Sequence, residues 1–243
     1  MTTSVNQPLK TGDNIDTSNA NWKFKGSVVE NFDNHILKSV PLYEEGHNLI
    51  VNLSDYFIND DSICYELGAS TAALSIKLAK HNQTKTAKFI GIEKEEDMYK
   101  KALESTKNIS NIEIFNDDIL TFDFLKSDFI VSYYTIQFIK PSVRQDIFNK
   151  IYDSLNWGGA FILFEKVRAN DARFQDITTG LYNDFKLNNG YTPDEIISKS
   201  RSLKGVLEPF STQGNIDMLK RAGFKDIISI MKYISFEGFL VIK

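Results

Sequence analysis

Residues 62–75 read SICYELGASTAALS, and the reading of this stretch decides the fold. Ile63, Cys64, Tyr65 and Leu67 form an apolar run bounded by polar residues, which suits a buried strand. Gly68 permits a sharp turn where any side chain would obstruct a ligand. Ser70 or Thr71 then offers a hydroxyl to cap a helix over 72–81, whose first amides point above the strand ends. The stretch predicts strand, tight turn and helix.

Downstream, a second apolar run at 88–92, KFIGI, ends at Glu93. In doubly wound sheets that bind nucleosides, the acid closing the second strand accepts two ribose hydroxyls. The dinucleotide pattern requires G-x-G-x-x-G, and here only Gly68 is present. An ordinary βα turn is therefore the alternative to a nucleoside site.

The rest of the chain extends the alternation. Residues 98–107 predict a helix, 112–115 a third strand, and 128–134 (DFIVSYY) a fourth; a helix over 142–155 leads to a fifth strand at 160–165 (AFILFE). Right-handed crossovers between such elements give a mostly parallel sheet covered on both faces. The alternation then stops. Two amphipathic helices, around 174–185 and 193–206, form an insertion spanning 168–207, followed by a helix at 216–222 and strands at 227–234 and 239–243. Glu237-Gly238 is the expected turn of this last hairpin. Upstream, helices over 28–37 and 43–57 precede the first strand and stand ready to lid the pocket. Residues 1–21, polar and without periodicity, predict a mobile tail, leaving 22–243 as one domain.

Composition bounds the function. A net charge of -4 argues against an extended phosphate-binding surface, so no direct nucleic-acid binding is expected. The one cysteine, Cys64, excludes an internal disulfide. No apolar run is long enough to span a bilayer, and a cytoplasmic protein is expected. His35, His47 and His81 show no ligand spacing, so no metal site is expected. Five parallel strands, a late insertion and a terminal hairpin predict the seven-stranded, Rossmann-like class I S-adenosylmethionine methyltransferase architecture.

Four stretches then carry a resemblance: SVVENFDNHILKSVPLY (27–43), YTIQFIKPSVRQDIFNKIYDSLNWGGAFILFEK (134–166), NDFKLNNGYTPDEIISKSRSLKGVL (183–207) and LKRAGF (219–224). Over 24–243 the chain resembles the carboxy-S-adenosylmethionine synthases. The third stretch, inside the insertion, is the most specific. The resemblance implies S-adenosylmethionine or its carboxylated form as cofactor. It implies Tyr43, Glu66, Gly68, Ala69 and Ser70 at the methionine portion, Glu93 and Lys94 at the ribose, and Asp118 with Ile119 at the adenine. Arg201 would grip the carboxylate added to the cofactor methyl, as a guanidinium does bidentately. It also implies prephenate as the source of carbon dioxide, a homodimer, and a product used by a partner enzyme in modifying the wobble uridine of transfer RNA.

Three positions depart from that pattern. Ala72 and Ala69 differ from the family's usual residues in the glycine turn, and Tyr133 stands where the family has asparagine. A phenol near the cofactor methyl makes Tyr133 a candidate hydrogen-bonding or general-base residue. Two other readings therefore stand beside the synthase: a true methyltransferase whose Arg201 holds a small carboxylate or keto acid, and a cofactor-binding partner subunit without chemistry. Lys199 and Lys204 are expected at the surface.

Overall fold

The computed structural model describes residues 9–13 and 15–243. Seven strands make the main sheet, β1 (Ile63–Leu67), β2 (Lys88–Ile92), β3 (Ile112–Phe115), β4 (Ser127–Tyr133), β5 (Leu155–Lys166), β6 (Asp226–Tyr233) and β7 (Phe236–Ile242). Their spatial order is β3-β2-β1-β4-β5-β7-β6. Within this sheet β7 runs opposite to the other six strands. The described residues form eight α-helices, α1 (Ser27–Ser39), α2 (Tyr43–Leu53), α3 (Ala73–His81), α4 (Glu96–Thr106), α5 (Arg144–Ser154), α6 (Ala172–Asn188), α7 (Pro193–Ser202) and α8 (Thr212–Ala222).

The period-two alternation of each strand distributes its side chains between two cores. Cys64, Phe89, Phe129 and Ile162 face Ile50 of α2, Leu74 and Leu78 of α3 and Ala102 of α4. Their chain neighbours Tyr65, Ile90, Ile130 and Phe161 face Ile147, Phe148 and Ile151 of α5 and Met218 and Leu219 of α8. Each isoleucine, leucine, methionine or phenylalanine among them, fully buried, contributes about 1.5–3 kcal/mol. The predicted doubly wound, mostly parallel sheet is the one observed, and its insertion is α6 and α7. Strand order reverses between β1 and β4, which opens a crevice beyond the carboxyl ends of the strands.

Three local expectations are corrected. The last hairpin turns at Ile234 and Ser235, not at Glu237-Gly238, which lie inside β7. Gly238 is there because a Cβ would come within 2.4 Å of the Phe164 ring. Neither Ser70 nor Thr71 caps α3; its N-cap is Ala72, without a side-chain cap. The capping acceptor comes from β1 instead, where the Glu66 carboxylate receives the Ser75 N–H at 2.9 Å and the Ser75 hydroxyl. Of the expected tail, 1–8 and 14 lie outside the described residues. The remainder packs on the insertion: Ile15 is buried, Leu9–Lys10 pairs with Asp16–Thr17, and Trp22 N–H donates to Ser202 O. Among the described residues no helix is long and apolar enough to cross a membrane.

Candidate active site

The crevice above β1, β2 and β4 opens into a cavity of about 1100 Å³ roofed by α1, α2, α6 and α7. That lies at the upper end of small-molecule sites, with room for a nucleoside cofactor and a second small molecule. Tyr43, Glu66, Gly68, Ala69, Ser70, Glu93, Lys94, Asp118, Ile119, Tyr133 and Arg201 all border it.

Its floor is the turn after β1. Gly68 has φ +74°, and a Cβ there would meet the Thr135 side chain at 2.4 Å. Ser70 and Ala72 also adopt positive φ without being glycine, at a cost on the order of 1–3 kcal/mol each. The surroundings enforce this conformation. Ser70 N–H donates to Glu93 Oε2 at 2.8 Å, Ala72 N–H to Ala69 O at 2.7 Å, and the Thr71 hydroxyl to Asp33 of α1 at 2.9 Å. Ala72, read above as a change in the cofactor turn, is wholly buried and does not border the cavity.

Two acids converge on this turn. Glu93 ends β2 and accepts a second amide, Glu95 N–H, at 2.8 Å on Oε1. Burial raises its pKa, and the backbone N–H groups that hold the carboxylate oppose that rise. Glu66 is buried, and burial pushes its pKa up to about 7 despite the Ser75 bonds, with Glu93 adding repulsion. No described cation pairs with it. Around the wall, Asp118 accepts from Lys94 Nζ at 2.8 Å and from Leu120 N–H at 3.0 Å, with Ile119 buried beside it. Lys94 therefore reaches Asp118 as well as the cavity. A turn opened by Gly68, an acid suspended on amides and an unpaired buried acid fit an adenosyl group carrying an ammonium.

Residues 65–159 match the methyltransferase domain family. A carboxy-S-adenosyl-L-methionine synthase of Staphylococcus epidermidis is 37% identical over 223 residues, 91% of this chain and 97% of the relative. The chain belongs to the carboxy-S-adenosyl-L-methionine synthase family. A synthase of Nautilia profundicola is 36% identical over 91% of this chain and 94% of its own. Among solved structures, human N-acetylserotonin methyltransferase in complex with SAM superposes at TM-score 0.61 with 14% identity, covering 90% of this chain and 56% of that one. A cyclopropane synthase of Mycobacterium tuberculosis gives 0.58 at 13% identity, covering 77% and 63%. These last two likenesses speak for the fold alone.

Within a carboxy-S-adenosylmethionine synthase, Tyr133 does not have the environment of a base. Its hydroxyl donates to Tyr43 O at 2.7 Å, and its ring packs between those of Tyr43, His47 and Phe164. Burial, then the neighbouring phenol of Tyr134, raises its pKa far above the ordinary phenol value. The phenol serves packing between β4 and α2. His47, buried against the same rings, has no partner for Nδ1 among the described residues, and burial pushes its pKa down to about 3. Arg201 stands exposed at the cavity rim, and its guanidinium pairs with no described residue.

Lys199, expected at the surface, turns inward from α7. Its ammonium contacts His35 Nε2, donates to Ser39 Oγ at 2.8 Å and lies 5.0 Å from the centroid of a Trp22 ring. His35 is neutral: burial, then the Lys199 charge, pushes its pKa down to about 3, so Nδ1–H donates to Asp13 at 2.9 Å and Nε2 accepts. Lys166 and Lys186 complete the cationic side of the cavity. Lys166 was detectable as the residue just past the predicted fifth strand, where open sheets place ligand contacts. Lys186 and Lys199 sit on amphipathic helices, where a solvated lysine has the same spacing.

Proposed function

We propose that this protein carboxylates the methyl group of S-adenosylmethionine, with prephenate as the carboxylate donor, giving carboxy-S-adenosylmethionine. The single observation carrying this reading is the pairing, inside one cavity, of a cradle for an adenosyl group with a cluster of lysines, two of which pair with no described acid. A methyl acceptor that is neutral or cationic would gain nothing from the second feature.

The cofactor would supply a sulfonium that acidifies its methyl group. Glu93 would take the ribose hydroxyls with the oxygen lone pairs left free by its two amide bonds. Asp118 and Ile119 would take the adenine edge and face. Glu66 would receive the methionine ammonium, which restores its ionised form at neutral pH. Tyr43, at the start of α2, would close over that end, its ring braced by His47 and Tyr133. The aromatic roof of Trp22, Phe24, Phe32 and Phe138 would exclude water from a site where carbon dioxide is transferred. Arg201 at the rim is available to a carboxylate there.

The product would serve an enzyme modifying the wobble uridine of transfer RNA, and the protein would act in the cytoplasm. It would do so as a homodimer: Phe174, Ile177 and Leu181 form an exposed apolar stripe on one face of α6, with Ile197 exposed on α7. Mass spectrometry of the nucleoside that copurifies with the protein tests the activity. A carboxylated cofactor is expected; S-adenosylmethionine or its demethylated product alone, after supply of prephenate, would refute it.

A further inference from the structure

Three ammonium groups meet on the side of the cavity away from the glycine turn. Lys166 Nζ lies 4.2 Å from the centroid of the Tyr182 ring, and Lys186 Nζ lies 4.3 Å from the same centroid. Both therefore share one aromatic platform, which Phe236 extends on the Lys166 side at 5.7 Å. Lys186 is only 7% exposed. Neither amine donates a hydrogen bond to any described oxygen or nitrogen. Lys199, held by His35 and Ser39, contributes the third charge from α7.

Among the described residues no carboxylate pairs with Lys166 or Lys186. Glu165 is the chain neighbour of Lys166, but alternation along β5 puts its side chain on the opposite face, where its partner is the charge of Arg144. Asp13 attracts Lys199 alone of the three, and its carboxylate is already bound by His35 and Lys38. Arg168 and Lys204 add further positive charge around Lys166. Tyr191 and Tyr182 supply neutral phenols. Placing like charges together in a partly desolvated pocket is unfavourable unless an anion completes it. Burial comes first and mutual repulsion second in lowering Lys166 and Lys199 to about 7, while burial lowers Lys186 to about 8.

We infer that Lys166, Lys186 and Lys199 form the subsite for a dicarboxylic acid with an unsaturated or aromatic body, its two carboxylates on the ammonium groups and its ring against Tyr182 and Phe236. Two cations without a partner among the described residues match a dianion better than a monocarboxylate, which leaves one of them unmatched. The inference rests on the cavity being a cofactor site with a second substrate, and it assigns that substrate's anchor to lysines of β5, α6 and α7.

Isothermal titration of prephenate into the full-length protein saturated with S-adenosylhomocysteine, which cannot react, tests the assignment. Lys166→Met and Lys186→Met should each weaken prephenate binding by at least about tenfold, the loss of one charge-assisted contact. Both should bind S-adenosylhomocysteine as the wild type does, which also shows that they fold. Lys186→Arg, which keeps the charge, should bind prephenate more tightly than Lys186→Met. Near pH 8 the wild type should take up protons on binding prephenate, because an anion returns the lowered lysines to their charged form; both Met variants should take up fewer. Unchanged prephenate affinity in the Met variants, with S-adenosylhomocysteine bound normally, overturns the subsite alone. Failure of the wild type to bind S-adenosylhomocysteine overturns the cofactor site and the inference with it.

Discussion

The phenol of Tyr133 occupies the space that Gly46 leaves open on α2: a methyl group at position 46 would come within 2.2 Å of the Tyr133 hydroxyl oxygen. With that hydroxyl bound to Tyr43 O, the end of β4 is latched to the helix carrying a cavity wall. Tyr133→Phe keeps the ring and loses the latch, so it should lower stability by about 1 kcal/mol while turnover and its pH profile stay near wild type. Gly46→Ala forces the phenol out of its seat and should reduce both stability and cofactor affinity. Thermal denaturation and turnover measured side by side decide this; turnover abolished in Tyr133→Phe at unchanged Tm would give the phenol a chemical role.

Glu93 links the cavity floor to the second strand through two amides rather than through a cation, so its removal affects both ligand and turn. Glu93→Ala should raise the Kd for S-adenosylhomocysteine by about tenfold or more, the weight of a charge-assisted hydrogen bond. It should also release the left-handed Ser70. Titration calorimetry measures the first effect and amide hydrogen exchange at residues 69–72 the second. Wild-type affinity in the variant would remove Glu93 from the ribose site.

The pH dependence of cofactor binding follows from Glu66. Its pKa of about 7 in the free protein lies above the ordinary carboxylate value of 4.5. The folded state therefore holds this proton more tightly than the unfolded state does. For Glu66 alone, stability of the free protein is lost as pH rises from 4.5 through 7. The ionised form is the one that attracts an ammonium, so S-adenosylhomocysteine affinity should fall as pH drops below about 7. Glu66→Gln, neutral throughout, should show a flat affinity across that range at the weaker, acidic level. A pH-dependent affinity that persists unchanged in Glu66→Gln would assign the titration to another group.

The sheet was legible in the sequence because its signals are local. Runs such as ICYEL and AFILFE carry their own burial pattern, and Gly68 and Glu93 lie at the ends of strands, where open sheets place ligands. The contacts that shape the upper cavity are not local. Lys199 and Arg201 lie on one helix with similar flanking residues; which of them faces inward depends on His35 and Ser39, far away in α1. Tyr133 was read as chemically available because its partner, a glycine in α2, leaves no trace of the space it vacates. Likewise the burial of Ile15 depends on the insertion, which a polar N-terminal stretch does not announce.

The stripe on α6 makes the remaining prediction. Phe174, Ile177 and Leu181 are each more than half exposed, and their spacing puts them on one face of a helix. A lone exposed apolar residue needs no partner, but three in line on a 17-residue helix form a patch of the kind that marks an interface. The same helix carries Tyr182 and Lys186 on its cavity side, so a second copy docked on the stripe would hold the roof of the site in place. Light scattering should give a mass about twice the 27.7 kDa chain. Leu181→Glu, which places a charge in the middle of the patch, should shift the protein to monomer and raise the KM for the second substrate more than that for the cofactor. A wild-type protein that is monomeric at micromolar concentration would leave the stripe unpartnered and remove the dimer from the mechanism.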